Sequence, residues 1–261
     1  MDTSKQLYEA DATGWKRGLY DDVKQTFRAP IVNWIFRTTM ANYPEFLRYA
    51  WGQLKPAFET AGFGRYSVAY RDTVLSAVEG SASLPAYRSG ELDVSPAEYG
   101  ELRGQLATYD VVAPRLAALF ELADRALNDD PIGTDPDRTR AGTAPYPAWL
   151  DADRGRPPTM IPFDRTPDEL AEVVPAIQSF HGLDGGLPSI YRTLAQWLGF
   201  LVPMWDDLEA VLQGEVFSTA VAEARAVVSA YVDSLVYVPR LDPDSLERRG
   251  IDDAAVAELQ E

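Results

Sequence analysis

Two segments of similar sequence decide the fold: TMANYPEFLRYAWGQL, residues 39–54, and TLAQWLGFLVPMWDDL, residues 193–208. At a constant offset of 154 residues and without a gap, they share six identities in sixteen positions. The identical pairs are Thr39 with Thr193, Ala41 with Ala195, Phe46 with Phe200, Leu47 with Leu201, Trp51 with Trp205 and Leu54 with Leu208. Such self-similarity is typical of an internal repeat. Because the apolar residues recur every three or four positions, we predict helices over 43–54 and 193–208.

The rest of the chain shows the same periodicity. Apolar residues recur at helical spacing over 20–27, 66–78 and 102–127, whereas the strict alternation of a half-buried strand is rare. Prolines lie near the predicted helix starts, at Pro30, Pro44, Pro96 and Pro114. We therefore predict an all-α protein in which two related helical repeats pack as a pseudo-dimer around an approximate two-fold axis.

A stretch rich in proline and aspartate separates the two repeats. Residues 129–168 contain the turn and breaker residues of a long surface connection. We predict a first helical repeat at 1–128, a linker at 129–168 and a second, shorter repeat at 169–261. The interface between such repeats is a natural ligand site.

The charge of the chain restricts its partners. There are 40 acidic against 24 basic residues, a formal net charge of −16, so nucleic acid and anionic membrane surfaces are expected to be repelled. Only four of the basic residues are lysines. An acidic, lysine-poor composition indicates adaptation to a cytoplasm rich in salt, as in haloarchaea, where screening makes the charge density tolerable. An ordinary acidic mesophile protein is the alternative.

The scarcity of particular residues excludes several chemistries. The chain has no cysteine and a single histidine, His181, which excludes thiolate catalysis, cysteine-ligated metal and sites with two histidines. A site built only from carboxylates stays open, but the acidic runs lack the spacing of a calcium loop, and we predict no metal. No segment has the length and apolarity of a membrane span or a signal peptide, so we expect a cytoplasmic protein.

Three further segments carry a family resemblance. They are YDDVKQTFRAP at 20–30, YPEFL at 43–47 and WGQLKPAFET at 51–60, and GLPSIYRTLAQW at 186–197 adds a fourth in the second repeat. Together they resemble the group I 2-haloacid dehalogenases, the stereo-nonselective and D-specific family. The resemblance implies an all-helical pseudo-dimer with its active site between the repeats. It also implies a hydrolase acting on carbon–halide bonds, in which an aspartate activates water without a cofactor.

The resemblance also shows which polar groups are missing. The family's Ser-Asp-Tyr-Arg segment falls on Ser189 to Arg192, so that Ile190 stands where the water-activating aspartate is expected. A family asparagine before a proline falls on Ala113. A family threonine falls on Thr60, and a glutamate four residues later falls on Gly64. Since general acid–base help is worth about 10²- to 10⁴-fold, these losses imply that the ancestral hydrolysis is lost.

Other residues of the matching segments are candidates for ligand contact. Arg192 is suited to pairing with a substrate carboxylate, although a surface ion pair is equally consistent with the sequence. Ser189, Ile190, Tyr191, Trp34, Arg37, Thr60 and Ala113 are the remaining candidate substrate-binding residues. Helix capping is the alternative for Thr60, and buried packing is the alternative for Trp34. His181 precedes this segment with Asp184 nearby, and its role stays open.

The sequence therefore favours a divergent dehalogenase homologue with an inter-repeat pocket for a small, carboxylated organic molecule. The alternatives are a different enzyme on the same scaffold and a non-catalytic binding or interaction protein, because function belongs to sites rather than to folds. A homodimer is left open.

Overall fold

The computed structural model describes residues 1–2, 4–81, 84–144, 155–251 and 253–260. Eleven α-helices lie in these described residues, and they contain an isolated β-bridge between Thr60 and Thr143 but no strand. The helices are α1 (Gly14–Phe27), α2 (Trp34–Asn42), α3 (Pro44–Phe58), α4 (Ala61–Ser81), α5 (Pro96–Leu127), α6 (Val173–His181), α7 (Ser189–Leu194), α8 (Leu198–Leu212), α9 (Glu215–Asp233), α10 (Pro243–Glu247) and α11 (Asp253–Gln260). The all-α prediction is confirmed.

Local sequence explains where the main helices begin. Pro44 and Pro96 occupy the first positions of α3 and α5, where a missing N–H costs nothing. At the start of α5, Ser95 Oγ accepts from the Glu98 amide at 3.3 Å, and Glu98 Oε2 accepts from the Ser95 amide at 2.8 Å. This reciprocal pair is a capping box. The predicted helix over 43–54 lies within α3 apart from its first residue.

Two sequence expectations about helix ends were wrong. The single helix predicted over 193–208 is two helices, because α7 ends at Leu194 and α8 begins at Leu198. The backbone of Trp197 leaves the helical region at φ −128° and ψ 79°. Pro114 does not start a helix but lies inside α5, where its carbonyl accepts a hydrogen bond from Tyr66 Oη at 2.9 Å. Buried side chains on both sides of it, Val111, Val112, Ala118 and Leu119, keep this stretch of α5 packed in the core.

The chain forms two compact units built from discontinuous segments. Unit 1 comprises 1–70, 111–152 and 225–261, and unit 2 comprises 71–110 and 153–224. These units are defined by packing, whereas the predicted boundaries at 128 and 168 concern ancestry. The repeat boundaries stay a prediction. Within the predicted linker the described residues form short 3₁₀ turns at Arg138–Arg140 and Phe163–Arg165, and positions 145–154 lie outside the described residues.

Unit 1 is organised around an aromatic core. Phe27, Phe36 and Phe58 surround the indole of Trp51, with ring centroids 5.7, 5.6 and 6.2 Å from it. Trp51 is 4% exposed, and its Nε1 donates to Asp22. Burying one such ring stabilises the fold by roughly 1.5–3 kcal/mol, so this cluster is a major source of stability for unit 1.

Unit 2 has its own core around α6, α7 and α8. Trp205 is 2% exposed and packs against the rings of Phe180 and Tyr191, with centroids 6.1 and 5.9 Å away. Gly199 allows close packing at the start of α8, since a Cβ there would lie 2.5 Å from the carbonyl oxygen of Asp93. The two tryptophans of the repeated segments therefore each occupy a buried aromatic cluster within their own unit.

Helix bounds also recur at the sequence offset. Both ends of α8 lie 154 residues after those of α3, α9 begins 154 residues after α4, and α6 ends 154 residues after α1. These coincidences go beyond the residue identities, because they concern the lengths and order of successive helices. They support the repeat interpretation, and the two-fold arrangement itself stays a prediction.

Candidate functional site

A small pocket in unit 1 contains Thr60, one of the predicted site residues. Its volume is about 130 Å³. Its walls come from three stretches, 56–62 at the junction of α3 and α4, 137–141 in the predicted linker, and 231–237 at the end of α9. We call it the Thr60 pocket. It brings together residues assigned to the first repeat, the linker and the second repeat.

Backbone hydrogen bonds hold the linker stretch against the end of α9. The amides of Gly133, Asp135 and Asp137 donate to the carbonyls of Val232, Asp233 and Ser234 at 3.2, 2.9 and 3.0 Å. Gly133 has φ +69°, and a Cβ there would lie 2.6 Å from the Leu235 carbonyl oxygen, so the close approach requires glycine.

Further contacts fix the opposite wall of the Thr60 pocket. The Thr60 hydroxyl accepts from the Phe63 amide at 3.0 Å and donates to the Ala57 carbonyl at 3.1 Å, as an N-cap of α4 does. The Ala61 amide donates to the Gly142 carbonyl at 2.8 Å, and Tyr231 Oη donates to the Ala57 carbonyl at 2.7 Å. Thr60 therefore caps α4 and also lines the pocket, which satisfies both alternatives.

The charged groups of the Thr60 pocket are Arg140 and Asp137. Arg140 Nε lies 3.0 Å from Asp137 Oδ2, and the Arg140 side chain is half exposed. Hydrogen bonds from Thr139 hold the pKa of Asp137 below its ordinary value, and Arg140 lowers it further. A carboxylate with a lowered pKa is a weak base. The pocket is thus suited to holding an anion at the outer face of the guanidinium, between Pro56, Ala57, Leu235 and Val236.

The four residues at the start of α7 belong to unit 2. Ser189 is exposed, and Ile190 is partly buried against the core of that unit. Arg192 Nε donates to the Ile161 carbonyl at 2.9 Å, which occupies part of the guanidinium with a backbone contact. The side chain at position 190 therefore contributes apolar packing and offers no group that can accept a proton.

His181 contacts Tyr191 rather than Asp184. It is the last residue of α6, and its Nε2 lies 3.1 Å from Tyr191 Oη. Burial lowers the pKa of His181 and raises that of Tyr191, so both groups are held in their neutral forms near pH 7. The sequence proximity of Asp184 suggested a different partner, because sequence alone does not show that α7 brings Tyr191 beside the end of α6.

The remaining predicted site residues are spread over unit 1. Trp34 begins α2, is 42% exposed and lines a second, larger groove, not the Thr60 pocket. The guanidinium carbon of Arg37 lies 5.0 Å from the centre of the Tyr8 ring, a cation–π contact. Ala113 is exposed on α5. The described contacts do not bring Trp34, Arg37 and Thr60 into one site.

Arg140 is the pocket residue that sequence reasoning missed. It lies in a stretch assigned to the linker, where charged residues were attributed to a solvated surface. The spacing of Asp137 and Arg140, three residues apart in one 3₁₀ turn, was a signal for a fixed guanidinium. In the described part of the chain, no cluster of three or more His, Asp or Glu side chains is positioned for a metal ion. Nor does any helix there have the length and apolarity needed to cross a membrane.

Comparisons with known proteins agree with this architecture. The sequence profile of the family described as "Halocarboxylic acid dehydrogenase DehI" matches residues 30–160, half of the chain. An (R)-2-haloacid dehalogenase of Pseudomonas putida is 35% identical over 96 residues. That match covers 36% of this chain and 30% of the relative, so it spans less than a third of the relative's length.

Solved structures of D-2-haloacid dehalogenase share the fold over nearly the whole chain. A mutant in complex with D-2-CPA superposes with a TM-score of 0.80 at 22% identity, covering 98% of this chain and 87% of that one. A complex with L-LA has the same identity and coverage and a TM-score of 0.79. At this identity the likeness establishes the fold, whereas the profile match establishes the family. The chain belongs to the DehI family, the group I haloacid dehalogenases.

Proposed function

We propose that this chain binds a small carboxylated organic molecule at the Thr60 pocket, between its two repeats, and that it has lost hydrolytic dehalogenation. The observation that carries the proposal is Ile190 in the first turn of α7, at the position where the resemblance places the water-activating aspartate. An alkyl group there cannot take a proton from water. The proposed role is therefore recognition of a small acid without turnover.

The composition of the Thr60 pocket supports the ligand class. The volume of about 130 Å³ limits an enclosed ligand to a few heavy atoms. The guanidinium of Arg140 supplies a positive charge beside apolar walls, and guanidinium–carboxylate pairs are among the stronger hydrogen-bonded contacts in proteins. A three-carbon acid with one apolar substituent satisfies both features.

Binding and turnover are tested separately. Halide release from both enantiomers of 2-chloropropionate should be negligible, whereas calorimetry should detect their binding. Arg140→Gln should weaken binding by about ten- to a hundredfold, the loss of one hydrogen bond to a charged group. Arg138→Gln is the matched control, because Arg138 lies in the same 3₁₀ turn, is exposed and does not line the pocket.

Two results would contradict the proposal. Steady halide release by the unmodified protein would show that hydrolysis has been retained by other groups. Equal binding by the Arg140 and Arg138 variants would show that the carboxylate is bound elsewhere.

A further inference from the structure

A second, larger groove in unit 1 has a different chemical character from the Thr60 pocket. Its volume is about 700 Å³, within the range of small-molecule sites. It lies among residues of α2, α3, α5 and α11, and we call it the α2–α11 groove. None of its lining residues lines the Thr60 pocket. An inference about it is therefore independent of the proposed function.

The floor of the α2–α11 groove is apolar and its edge is aromatic. Buried side chains of α2, α3 and α5 form the floor, among them Phe36, Leu47, Leu54 and Leu119. Trp34 and Phe120 also line the groove, and they are 42% and 43% exposed. Large rings left this accessible beside a concave apolar surface provide contact area for an apolar ligand.

The charged groups of the groove are mainly acidic. Glu121, Asp124 and Glu258 line it, and none of the other lining side chains is basic. Glu121 is paired with Arg125 at 2.6 Å. Glu258 is bonded by Tyr43 Oη and lies 3.3 Å from the amino group of Met1. An ammonium group is thus already accommodated at this edge.

Asp124 is the carboxylate that remains available to a ligand. It is exposed, and the contact given for its side chain is a hydrogen bond from the Asn128 amide at 3.1 Å. No ion pair to Asp124 occurs among the described residues. A ligand cation placed there would gain an electrostatic contact without displacing an existing one, whereas a ligand anion would be repelled.

We propose that the α2–α11 groove binds an organic cation with a large apolar body, such as an arylalkylamine. The apolar body lies on the floor between Trp34 and Phe120, and the ammonium group faces Asp124. Trp34 adds an aromatic face that attracts a cation. This ligand class is opposite in charge to the small acid assigned to the Thr60 pocket.

The test compares three ligands that differ only in charge. Calorimetry is carried out with 2-(1-naphthyl)ethylamine, 1-naphthylacetamide and 1-naphthylacetate, at salt concentrations at which circular dichroism shows the native helix content. The amine should bind about tenfold or more tightly than the carboxylate, because one contact is attractive and the other repulsive. Added salt should reduce that preference, and the neutral amide should bind with intermediate affinity.

Matched variants locate the site. Asp124→Asn should weaken amine binding about fivefold and leave amide binding unchanged. Trp34→Ala should weaken binding of all three ligands about tenfold. Trp15→Ala is its control, since Trp15 is 38% exposed but does not line the groove, and it should have no effect.

Several outcomes would overturn the inference. They are carboxylate binding as tight as amine binding, equal effects of the Trp34 and Trp15 variants, and no detectable heat with any of the three ligands. A lysine-rich amphipathic peptide that binds far more tightly than the amine would also overturn it, since the occupant would then be a protein segment.

Discussion

Trp51 donates a hydrogen bond from Nε1 to Oδ2 of Asp22 across 2.7 Å. The other oxygen of Asp22 lies 2.7 Å from Lys55 Nζ, so the carboxylate joins an indole and an ammonium group. At the repeat offset Asp22 falls on Ala176 and Lys55 falls on Glu209. In agreement with this loss, the buried Nε1 of Trp205 has no hydrogen-bond partner among the described residues. The two tryptophans share an aromatic setting but differ in their polar contacts.

This difference predicts unequal costs for the same substitution. Trp51→Phe and Trp205→Phe both remove ring volume from a core, but only the first removes a hydrogen bond to a charged acceptor. Trp51→Phe should therefore lower the free energy of unfolding by about 1–3 kcal/mol more than Trp205→Phe. Urea unfolding of both variants measures the difference. Equal losses would indicate that Asp22 does not stabilise Trp51, or that Trp205 has an acceptor of similar strength.

The sequence predicted helices well where the apolar pattern was long. The repeat of 39–54 at 193–208 indicated matching helices, and α3 and α8 have the same length of 15 residues. The break between α7 and α8 was missed because the apolar spacing continues through it. What ends α7 is local backbone geometry at Trp197, and the tight packing of Gly199 against Asp93 is a contact distant in sequence. Periodicity identifies which face of a helix is buried but does not report such contacts.

The candidate site was harder to predict than the fold. Thr60 was identified through the family resemblance, but Arg140 was missed, because the pocket depends on the pairing of 133–137 with the end of α9. That pairing uses backbone amides and carbonyls, which every residue type possesses. Side-chain patterns therefore carry almost no information about it.

The setting of His181 predicts a pH dependence of stability near neutrality. Burial lowers its pKa in the folded state, whereas in the unfolded chain it has the ordinary value of about 6.5. Above about pH 7 neither state is protonated at this residue. As the pH falls through 6.5, the unfolded state binds the proton first, so the free energy of unfolding should fall until the folded state is protonated as well.

His181→Phe should remove that pH dependence, and phenylalanine is the residue at the equivalent position, Phe27. Tyr191→Phe is the control, because it removes the hydrogen bond and keeps the imidazole. Urea unfolding of the three proteins between pH 8 and 5 measures the effect. The curves for the unmodified protein and the Tyr191 variant should slope downward more steeply than that for His181→Phe. Parallel curves for all three would contradict the assignment of a lowered pKa to His181.

The net charge predicts that salt stabilises the folded chain. With 40 acidic and 24 basic residues, self-repulsion is weakly screened in dilute buffer, and a stability of about 5–15 kcal/mol leaves little margin. The melting temperature should rise with potassium chloride, mostly between about 0.1 M and 1 M, where the screening length falls to about 3 Å. General salting-out continues beyond that range, so a rise confined to higher salt indicates a different cause. An unchanged melting temperature up to about 3 M would remove the argument for adaptation to salt.

The substitution Ile190→Asp tests the proposed loss of the water-activating group. The unmodified protein should release negligible chloride from 2-chloropropionate, because the alkyl group at position 190 cannot accept a proton. The new carboxyl should have a raised pKa if its burial is not compensated, and the variant should be less stable, since Ile190 packs against the core of unit 2. Weak hydrolysis should return only if the chain still orients the substrate toward this residue. Ile190→Asn is the matched control, because it loses the same packing and gains no base, so the rate of the Asp variant above that of the Asn variant measures the restored chemistry. Turnover of about 1 s⁻¹ by the unmodified protein, within the ordinary range of enzymes, would instead show that another group activates water and that Ile190 does not mark a lost site.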